Sequence, residues 1–338
     1  MAITVYCSSD EKWCFAEQTT WGTGVADTIA STGLLTEGFG IDSQINFRNP
    51  PRARTQRYQH PSDTLANQKG IVYQTNGMSC PAVHELLDHF LYGLMQNTVE
   101  STLAPGIHRK TFTFGQTQPD FTANAGQFYT LWGVPPVASN HQKLSDAIIS
   151  ELTLTSAPGA NEGILWAAPT FIGRTHSDTA NYTGTTTFAN TGAAEEYNFY
   201  DLVTATLTGT QVVLGDNGIS ITLRNGAKKV GQSSAKPQTF ALPRYEAEIS
   251  MQILYDAAAR TAMANAKTGT AMSLVLTWGV DGVVGFLNLT ANVKFNQAVN
   301  LEHALEGDFV TLNMSCVGTF GGTLPITIIM DTNQDRSW

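Results

Sequence analysis

Alternating apolar and polar residues are the dominant pattern along this chain, and they predict a protein built mainly of β-strands. In residues 287–296, "LNLTANVKFN", every second residue is apolar and the residues between are polar. Residues 309–317, "FVTLNMSCV", repeat the alternation, so both segments predict long strands with one buried face. Residues 271–289 predict a hairpin, because two strand-like runs flank Gly279 and an Asp-Gly pair. The first half has two strand segments of the same kind, 110–115 ("KTFTFG") and 146–159 ("DAIISELTLTSAPG").

Two segments have helical spacing instead. The first covers about residues 81–95, where Pro81 suits the first helical turn. Its apolar residues recur at the helical period: Val83, Leu86, Leu87, Phe90, Leu91 and Leu94. The second covers about residues 254–266, is rich in alanine, and has Gly269 just beyond it as a stop signal.

The two predicted helices lie about half a chain apart and have similar neighbours, as expected of an internal repeat. One strand precedes each helix ("GIVYQT" and "RYEAEISMQI"), and one follows each ("KTFTFG" and "AMSLVLTWG"). A further strand lies upstream of each, one near Phe47 and one at 219–224. The order of elements therefore predicts a structural duplication into two tandem, mainly β units, each with one helix.

The domain boundaries follow from this duplication. Residues 176–195 are rich in Thr, Gly and Ala without periodicity, and are interpreted as a junction or a long surface loop. The predicted organisation is an N-terminal arm (1–38), a first domain (39–175), the junction (176–195), a second domain (196–318) and a C-terminal arm (319–338).

The stretch "HELLDHF" at residues 84–90 is close to the zinc-protease pattern H-E-x-x-H. A zinc site on a helix needs two ligands one turn apart. His84 and His89 are five residues apart and diverge by about 140° around a helix. Glu85 with His89, and His84 with Asp88, are therefore interpreted as polar pairs on the exposed flank of a packing helix, not as a metal site.

Other signatures of catalysis are missing from the sequence. "TTWGTG" at 19–24 is not followed by the Lys and Ser or Thr of a phosphate-binding loop, and no G-x-S-x-G motif occurs. The seven His residues show no metal-ligand spacing. The sequence thus predicts a protein that is not an enzyme, with no catalytic, cofactor-binding or metal-binding residues and no cofactor.

The cysteines and the N-terminus indicate the compartment. Cys7, Cys14, Cys80 and Cys316 form no C-x-x-C pair, so we expect free thiols, some of them buried. The N-terminus lacks a basic start followed by an apolar run, so no signal peptide is expected. No apolar stretch approaches the length of a membrane helix, and no membrane association is expected.

The composition indicates which kinds of binding partner to expect. Only 14% of the residues are charged, which suggests that copies of the chain or other partners cover much of its surface. The 28 acidic residues exceed the 19 basic ones, giving a net charge of -9. Affinity for nucleic acid comes largely from Lys and Arg, so the chain is not expected to bind DNA generally, although DNA could pass it without being held.

One basic cluster stands out in "FRNPPRARTQRYQHPSD" at 47–63: Arg48, Arg52, Arg54 and Arg57. It could be a nucleic-acid-binding loop. It could also project toward acidic residues of a neighbouring subunit. The net charge favours the second interpretation, and these four residues are our candidate inter-subunit contact.

The polar faces of the predicted strands are nearly uncharged, whereas an exposed sheet face usually carries more Lys and Glu. A neutral polar face suits water and does not attract phosphates. It could line a channel, and it could equally be ordinary solvent-facing sheet. Its residues are Asn288, Thr290, Asn292, Asn296, Thr311, Asn313 and Ser315.

Six stretches carry a family resemblance: "TTWGTGVADT", "HPSDTLANQKGIVYQTNGMSCPAVHELLDHFLYGLM", "HRKTFTFGQTQPDFT", "DAIISELTLTSAPGANEGILWAAPTFIGRTHS", "GISITLRNGAKKVGQ" and "RYEAEISMQILYDAAARTA". These stretches resemble the major tail tube proteins of long, flexible-tailed bacteriophages (siphophages) in their order and in the general character of their residues. The resemblance covers most of residues 19–318. The family has no catalytic signature, so the resemblance assigns no role to the "HELLDHF" run.

The resemblance implies two tandem tail-tube domains of the β-sandwich or barrel type, each flanked by one helix. It further implies a structural subunit whose rings stack into the hollow tail tube of a virion, around a tape-measure protein and later around DNA. It also implies tail terminator and baseplate proteins as partners, and assembly in the host bacterial cytoplasm. Most members place six single domains in a ring, so a duplicated chain implies three subunits with pseudo-sixfold symmetry. The alternative is another β-sandwich virion protein, such as a capsid decoration or tail-tip component.

Overall fold

The computed structural model describes residues 12–34, 40–44, 72–115, 117–134, 141–158, 163–188, 196–232, 237–295, 300–303, 310–318 and 326–333. These residues confirm the predicted mainly β fold with one helix in each half of the chain. Of the strands in these ranges, 21 belong to one hydrogen-bonded network, and two more form a separate hairpin.

The elements of the first half are β1 (Lys12–Glu17), β2 (Ser31–Leu34), β3 (Gly40–Gln44), β4 (Val72–Asn76), β5 (Cys80–Pro81), α1 (His84–Met95), β6 (Thr98–Ala104), β7 (Ile107–Thr113), β8 (Tyr129–Val134), β9 (His141–Ser156), β10 (Trp166–Gly173), β11 (Thr175–Ala180) and β12 (Thr186–Phe188).

The elements of the second half are β13 (Leu202–Leu207), β14 (Thr210–Gln211), β15 (Leu214–Arg224), β16 (Lys228–Gln232), β17 (Pro237–Ala241), β18 (Glu246–Leu254), α2 (Ala257–Thr268), β19 (Met272–Trp278), β20 (Leu287–Phe295), β21 (Asn300–His303), β22 (Val310–Gly318) and β23 (Ile326–Thr332). The hairpin β16–β17 is the separate pair.

The strand pairing repeats between the two halves. In the first half, neighbouring strands follow the order β3–β4–β10–β9, and all three pairings are antiparallel. In the second half the order is β15–β18–β22–β20, again antiparallel throughout. In each block the second strand leads into the helix and the last two strands follow it. The two blocks join where β9 pairs with β15, so they form one continuous sheet.

Strand β9 is long and serves two sheets. Its N-terminal part pairs with β8 and β11, while its C-terminal part pairs with β10 and β15. The change occurs at Asp146, which has a φ of 54°, in the left-handed region that few residues other than glycine adopt. Gln18 and Arg174 fix this bend, since the Asp146 amide donates to Gln18 Oε1 (3.0 Å) and Arg174 Nη1 donates to Asp146 Oδ2 (3.2 Å).

The terminal segments also contribute strands. In the segment 1–38, β1 pairs with β2 and β8. In the segment 319–338, β23 lies between β7 of the first half and β20 of the second. Strands β11 and β12 lie largely within the segment 176–195, which lacked periodicity in the sequence. The domain boundaries themselves stay a prediction.

Helix α1 corrects one expectation from the sequence. Its polar residues were expected on an exposed flank, but His84, Asp88 and His89 are buried together with the apolar stripe. Asp88 is 0% exposed, because α1 packs against β9 on one side and against β7 and β23 on another. A single hydrophobic core contains residues of α1 and of the second half, including Phe90 and Trp278.

Helix α2 follows the amphipathic pattern expected of a helix that covers a sheet. Ala258, Ala259 and Ala262 are buried in the core. The Asp256 side chain accepts a hydrogen bond from the Ala259 amide (2.9 Å), which is the usual N-cap contact. The helix ends at Gly269 with a φ of 65°, as the sequence predicted.

Candidate functional site

One extended feature of the described surface is the sheet face opposite the helices, hereafter the neutral face. Pairing registers place small uncharged polar side chains from successive strands on this face. They are Thr153, Thr155, Ser220, Thr222, Ser250, Ser315, Asn292, Thr290, Asn288, Ser273, Thr277, Thr327, Thr111 and Ser101. The face runs across the junction between the halves, so both copies of the repeated block contribute to it.

The neutral face arises from strand alternation. On β18, Ala247, Ile249 and Met251 are buried in the core, and Ser250 between them is exposed. On β20, Thr290 is exposed between buried neighbours in the same way. This confirms the predicted orientation of Asn288, Thr290, Asn292 and Ser315. Asn296 lies outside the described residues, as do the side chains of Thr311 and Asn313.

Lateral hydrogen bonds tie the polar residues of the neutral face together. Asn288 Nδ2 donates to Thr277 Oγ1 on the neighbouring strand (2.8 Å), and Thr290 Oγ1 donates to Asn288 Oδ1 (3.2 Å). The hydroxyl oxygens of Thr153 and Thr222 lie 3.2 Å apart across the junction of the two halves. Such contacts keep the side chains ordered without adding charge.

Two arginines beside these polar residues are paired with acidic side chains, whereas Lys294, which follows Asn292 on the same face, is exposed. Arg224 donates to Glu151 Oε2 (2.8 Å) and Glu248 Oε2 (2.7 Å), and these two hydrogen bonds raise the pKa of the Arg224 guanidinium. At the other end of the face, Arg109 makes a two-pronged contact with Asp331. The Nε–Oδ1 distance is 2.8 Å and the Nη2–Oδ2 distance is 2.7 Å, and Asp281 also accepts from this guanidinium.

The sheet has open edges. Within the described ranges, β3 pairs only with β4, and β6 pairs only with β7. On β6 the exposed fractions of Val99 and Leu103 are 65% and 45%. The pairing of β20 with β19 stops at Val293, and no described strand continues along that side of β20. Open edges offer backbone N–H and C=O groups to another chain.

The residues of the "HELLDHF" run contact three separate partners. His84 Nε2 lies 3.2 Å from Asn333 Oδ1, and His89 Nδ1 lies 2.9 Å from Glu17 Oε1. Asp88 accepts a hydrogen bond from Lys110 Nζ at 2.6 Å. In the part of the chain that the structure describes, no three His, Cys, Asp or Glu side chains are grouped as metal ligands.

The Lys110 ion pair was not anticipated from the sequence. Both side chains of the pair are 0% exposed, and Glu100 Oε2 lies 3.8 Å from the same nitrogen. Glu100 is the direct cross-strand neighbour of Lys110, and it also contacts His108 Nδ1 at 3.1 Å. The only signal in the sequence was a lysine within the otherwise strand-like "KTFTFG", which gave no indication of its partner.

The glycine-containing stretch "TTWGTG" binds a carboxylate of its own chain. The Gly22 amide donates to Asp146 Oδ1 (2.8 Å), and the Trp21 amide donates to Asn124 Oδ1 (2.7 Å). The Trp21 ring stacks on Phe121 with a centroid distance of 5.4 Å. This stretch therefore fastens the N-terminal segment to the bend of β9.

The predicted free thiols are confirmed for Cys14, Cys80 and Cys316, which are free and buried; Cys7 lies outside the described residues. Burial raises the pKa of the Cys80 and Cys316 thiols to about 12. Such thiols are nearly all protonated at neutral pH and react slowly.

The candidate contact residues Arg48, Arg52, Arg54 and Arg57 lie outside the described residues, so their role stays a prediction. Among the described residues no helix is long and apolar enough to cross a membrane.

Two comparisons with known proteins add to this picture. The model of one family, described as phage tail tube protein, matches residues 9–316. No curated protein matches the chain.

Proposed function

The chain belongs to the phage tail tube protein family, since the family match spans nearly all of it, and we propose that three copies form each ring of the tail tube. In this proposal the rings stack into a hollow tube in the virion tail, and DNA passes through it during ejection. A tape-measure protein fills the tube first, and tail terminator and baseplate proteins contact its ends. Assembly takes place in the host bacterial cytoplasm, and the tail is of the siphophage type.

The observation that carries the ring of three is the repeated strand order. Within one chain, the last strand of the first block, β9, pairs with the first strand of the second block, β15. The equivalent strands at the outer limits of the two blocks are β20 and β3. Along one edge, β9 pairs first with β8 and then with β15. The equivalent edge of β20 pairs with β19 as far as Val293, and the part beyond Val293 corresponds to the part of β9 that pairs with β15. If β20 pairs there with β3 of the next subunit, every block meets the next in the same way, and three chains give six equivalent blocks.

The neutral face is then the wall of the channel. The helices and the hydrophobic core lie on its other side, and in this proposal the ring closes with the helices outward and the neutral face inward. Apart from Lys294, the exposed side chains of this face are mainly Thr, Ser and Asn, which hydrogen-bond to water and offer no cation to phosphates. DNA can move along such a wall without being held, which is the property that ejection requires.

Electron microscopy tests the proposal directly. Negatively stained, purified protein is expected to show stacked hollow rings with threefold rotational symmetry. Lone trimers or globular particles would count against a tube, and rings of six complete chains would contradict the role of the duplication.

The neutral face can be located by chemical labelling. We expect Thr290→Cys to react with a bulky, protein-coupled maleimide in the dissociated subunit but not in the tube, because the label cannot enter the channel. A small maleimide is expected to react in both states. The measurement is the labelled fraction, with Cys7 replaced by Ser because the three described cysteines are buried.

Ala264→Cys is the matched control for this labelling experiment. Ala264 is exposed on α2, on the opposite side of the sheet, so it should accept the bulky label in both states. Equal labelling of the two positions in assembled tubes would show that the neutral face is not the channel wall.

The arginine-rich loop gives a second test. Replacing Arg52, Arg54 and Arg57 with Glu is expected to block the stacking of rings, because each contact with a neighbouring acidic residue becomes repulsive. Sedimentation should then show single rings in place of tubes. Tubes of normal length from this variant would exclude the loop as the contact between rings.

A further inference from the structure

Lys110 and Asp88 meet in the interior of the protein, with the partly buried Glu100 beside them. Lys110 Nζ lies 2.6 Å from Asp88 Oδ2, and both side chains are 0% exposed. Glu100 Oε2 lies 3.8 Å from the same nitrogen and projects from the strand next to Lys110. We propose that Lys110 and Asp88 join in an intramolecular amide bond, an isopeptide bond, and that Glu100 transfers the protons that this requires.

The geometry meets the first requirement, which is proximity. The carboxyl carbon of Asp88 is one covalent bond beyond Oδ2, so it lies close to the about 3–3.5 Å from which a nucleophile attacks. The two groups come from different elements, α1 and β7, which are both packed in the core. The fold therefore holds the amine against the carboxyl group before any bond forms, so little entropy is lost in reaching the transition state.

Burial supplies the driving force. An ammonium and a carboxylate that are both removed from water carry a large desolvation cost, which their attraction offsets only in part. An amide is neutral, and its N–H and C=O groups are far less costly to bury. Formation of the bond therefore removes two buried charges, and the scarcity of water around fully buried side chains slows the reverse hydrolysis.

The reaction balances without an oxidant or any other reactant. One proton passes from the Lys110 ammonium to the Asp88 carboxylate, which gives a neutral amine and a neutral carboxylic acid. Nζ then attacks the Asp88 carboxyl carbon and forms the C–N bond. Glu100 accepts a proton from that nitrogen and delivers it to the departing hydroxyl oxygen of Asp88, so the C–O bond breaks and one water molecule leaves.

A carboxylate is suited to the role given to Glu100 because it can both accept and return a proton. Glu100 also contacts His108 Nδ1 at 3.1 Å, which fixes the position of its side chain. The product would fasten α1 covalently to β7, the strand that pairs with β23. The covered helix could then not detach from the sheet when a particle built from this chain is under tension.

Mass spectrometry of the denatured protein tests the proposal. We expect the intact mass to fall below the sequence mass by the mass of one water molecule. Lys110→Arg, prepared in parallel, should show its full sequence mass, so that processing of the N-terminus cancels in the comparison. A wild-type protein with the full sequence mass would overturn the proposal.

A tryptic digest locates the bond. Trypsin does not cleave after a lysine whose Nζ is part of an amide, so in the linked protein cleavage at Lys69, Arg109 and Lys143 leaves the peptide 70–109, with Asp88, joined to the peptide 110–143. We expect this joined pair in the wild type. Recovery of the unlinked peptide 70–109 together with 111–143, which requires cleavage after a free Lys110, would overturn the proposed link.

Glu100→Gln tests the role of Glu100 apart from folding. The amide keeps the size of the side chain but cannot accept the proton, so this variant should fold and show its full sequence mass. Its circular dichroism and melting curve establish the fold independently. A folded Glu100→Gln protein that still loses water would overturn the assignment of Glu100.

Discussion

Replacing Asp88 with alanine is expected to lower the free energy of unfolding by about 3–5 kcal/mol, because Lys110 is left charged and buried without its carboxylate partner. The size of this loss follows from the environment of the pair: both side chains are 0% exposed, and the Nζ–Oδ2 distance is 2.6 Å. Urea denaturation followed by circular dichroism measures the change. The experiment belongs in the Glu100→Gln background, where we expect no covalent bond, so that the loss is that of the ion pair alone.

Two further variants separate the charge from the volume. Asp88→Leu combined with Lys110→Met removes both charges and fills similar space, so we expect it to recover most of the lost stability. A matched surface pair, Arg244 and Glu246, has exposed side chains at 2.8 Å. Glu246→Ala should change the stability by no more than about 1 kcal/mol. An Asp88→Ala variant as stable as its parent would show that the buried pair does not hold α1 to the sheet.

Local pattern was sufficient to predict the elements whose determinants lie within them. The alternation of residues 287–296 predicted β20, which spans Leu287–Phe295. The position of Gly269 predicted the end of α2, because a residue in the left-handed conformation follows so many helices. The order of strands and helices also predicted the duplication, and the repeated pairing β3–β4–β10–β9 and β15–β18–β22–β20 supports it.

Features that depend on distant parts of the chain were not predictable in the same way. Asp88 lies beside the apolar stripe of α1, where the sequence alone predicts an exposed residue. It is buried because β7 packs against this side of the helix and places Lys110 next to it. Similarly, Asp331 sits between two strands that are far from it in sequence, where Arg109 pairs with it across 222 positions. No local pattern records such a pairing, because the hydrogen bonds that select it form only when both halves are folded.

The neutral face lies between these cases. Alternation predicted which side of each strand it occupies, since every second residue is buried. Its continuity across the two halves depends on the β9–β15 junction, where Thr153 meets Thr222. That junction is a contact between two strand edges. Such contacts use backbone N–H and C=O groups, which all residues except proline carry, so the pattern of side chains did not predict it.

The proposed junction between subunits gives the prediction with the largest effect on assembly. Consecutive residues of a strand point their N–H groups to opposite edges. The N–H groups of Asp42 and Ser43 in β3 therefore point to different neighbouring strands. Proline removes the N–H group and is tolerated only where no ladder bond is needed. We expect one of Asp42→Pro and Ser43→Pro to break the β3–β4 pairing and lower stability. The other should keep the melting temperature of the wild type and form no rings at all.

Alanine provides the control for this pair, because Asp42→Ala and Ser43→Ala remove the same side chains but keep both N–H groups. Both alanine variants are expected to assemble into tubes that electron microscopy cannot distinguish from the wild type. Any difference between the proline and alanine variants therefore comes from the backbone N–H group, which the proposed β20–β3 contact uses. If both proline variants fold and assemble normally, β3 is not the closing strand and the ring must close through another edge, of which β6 with exposed Val99 and Leu103 is the next candidate.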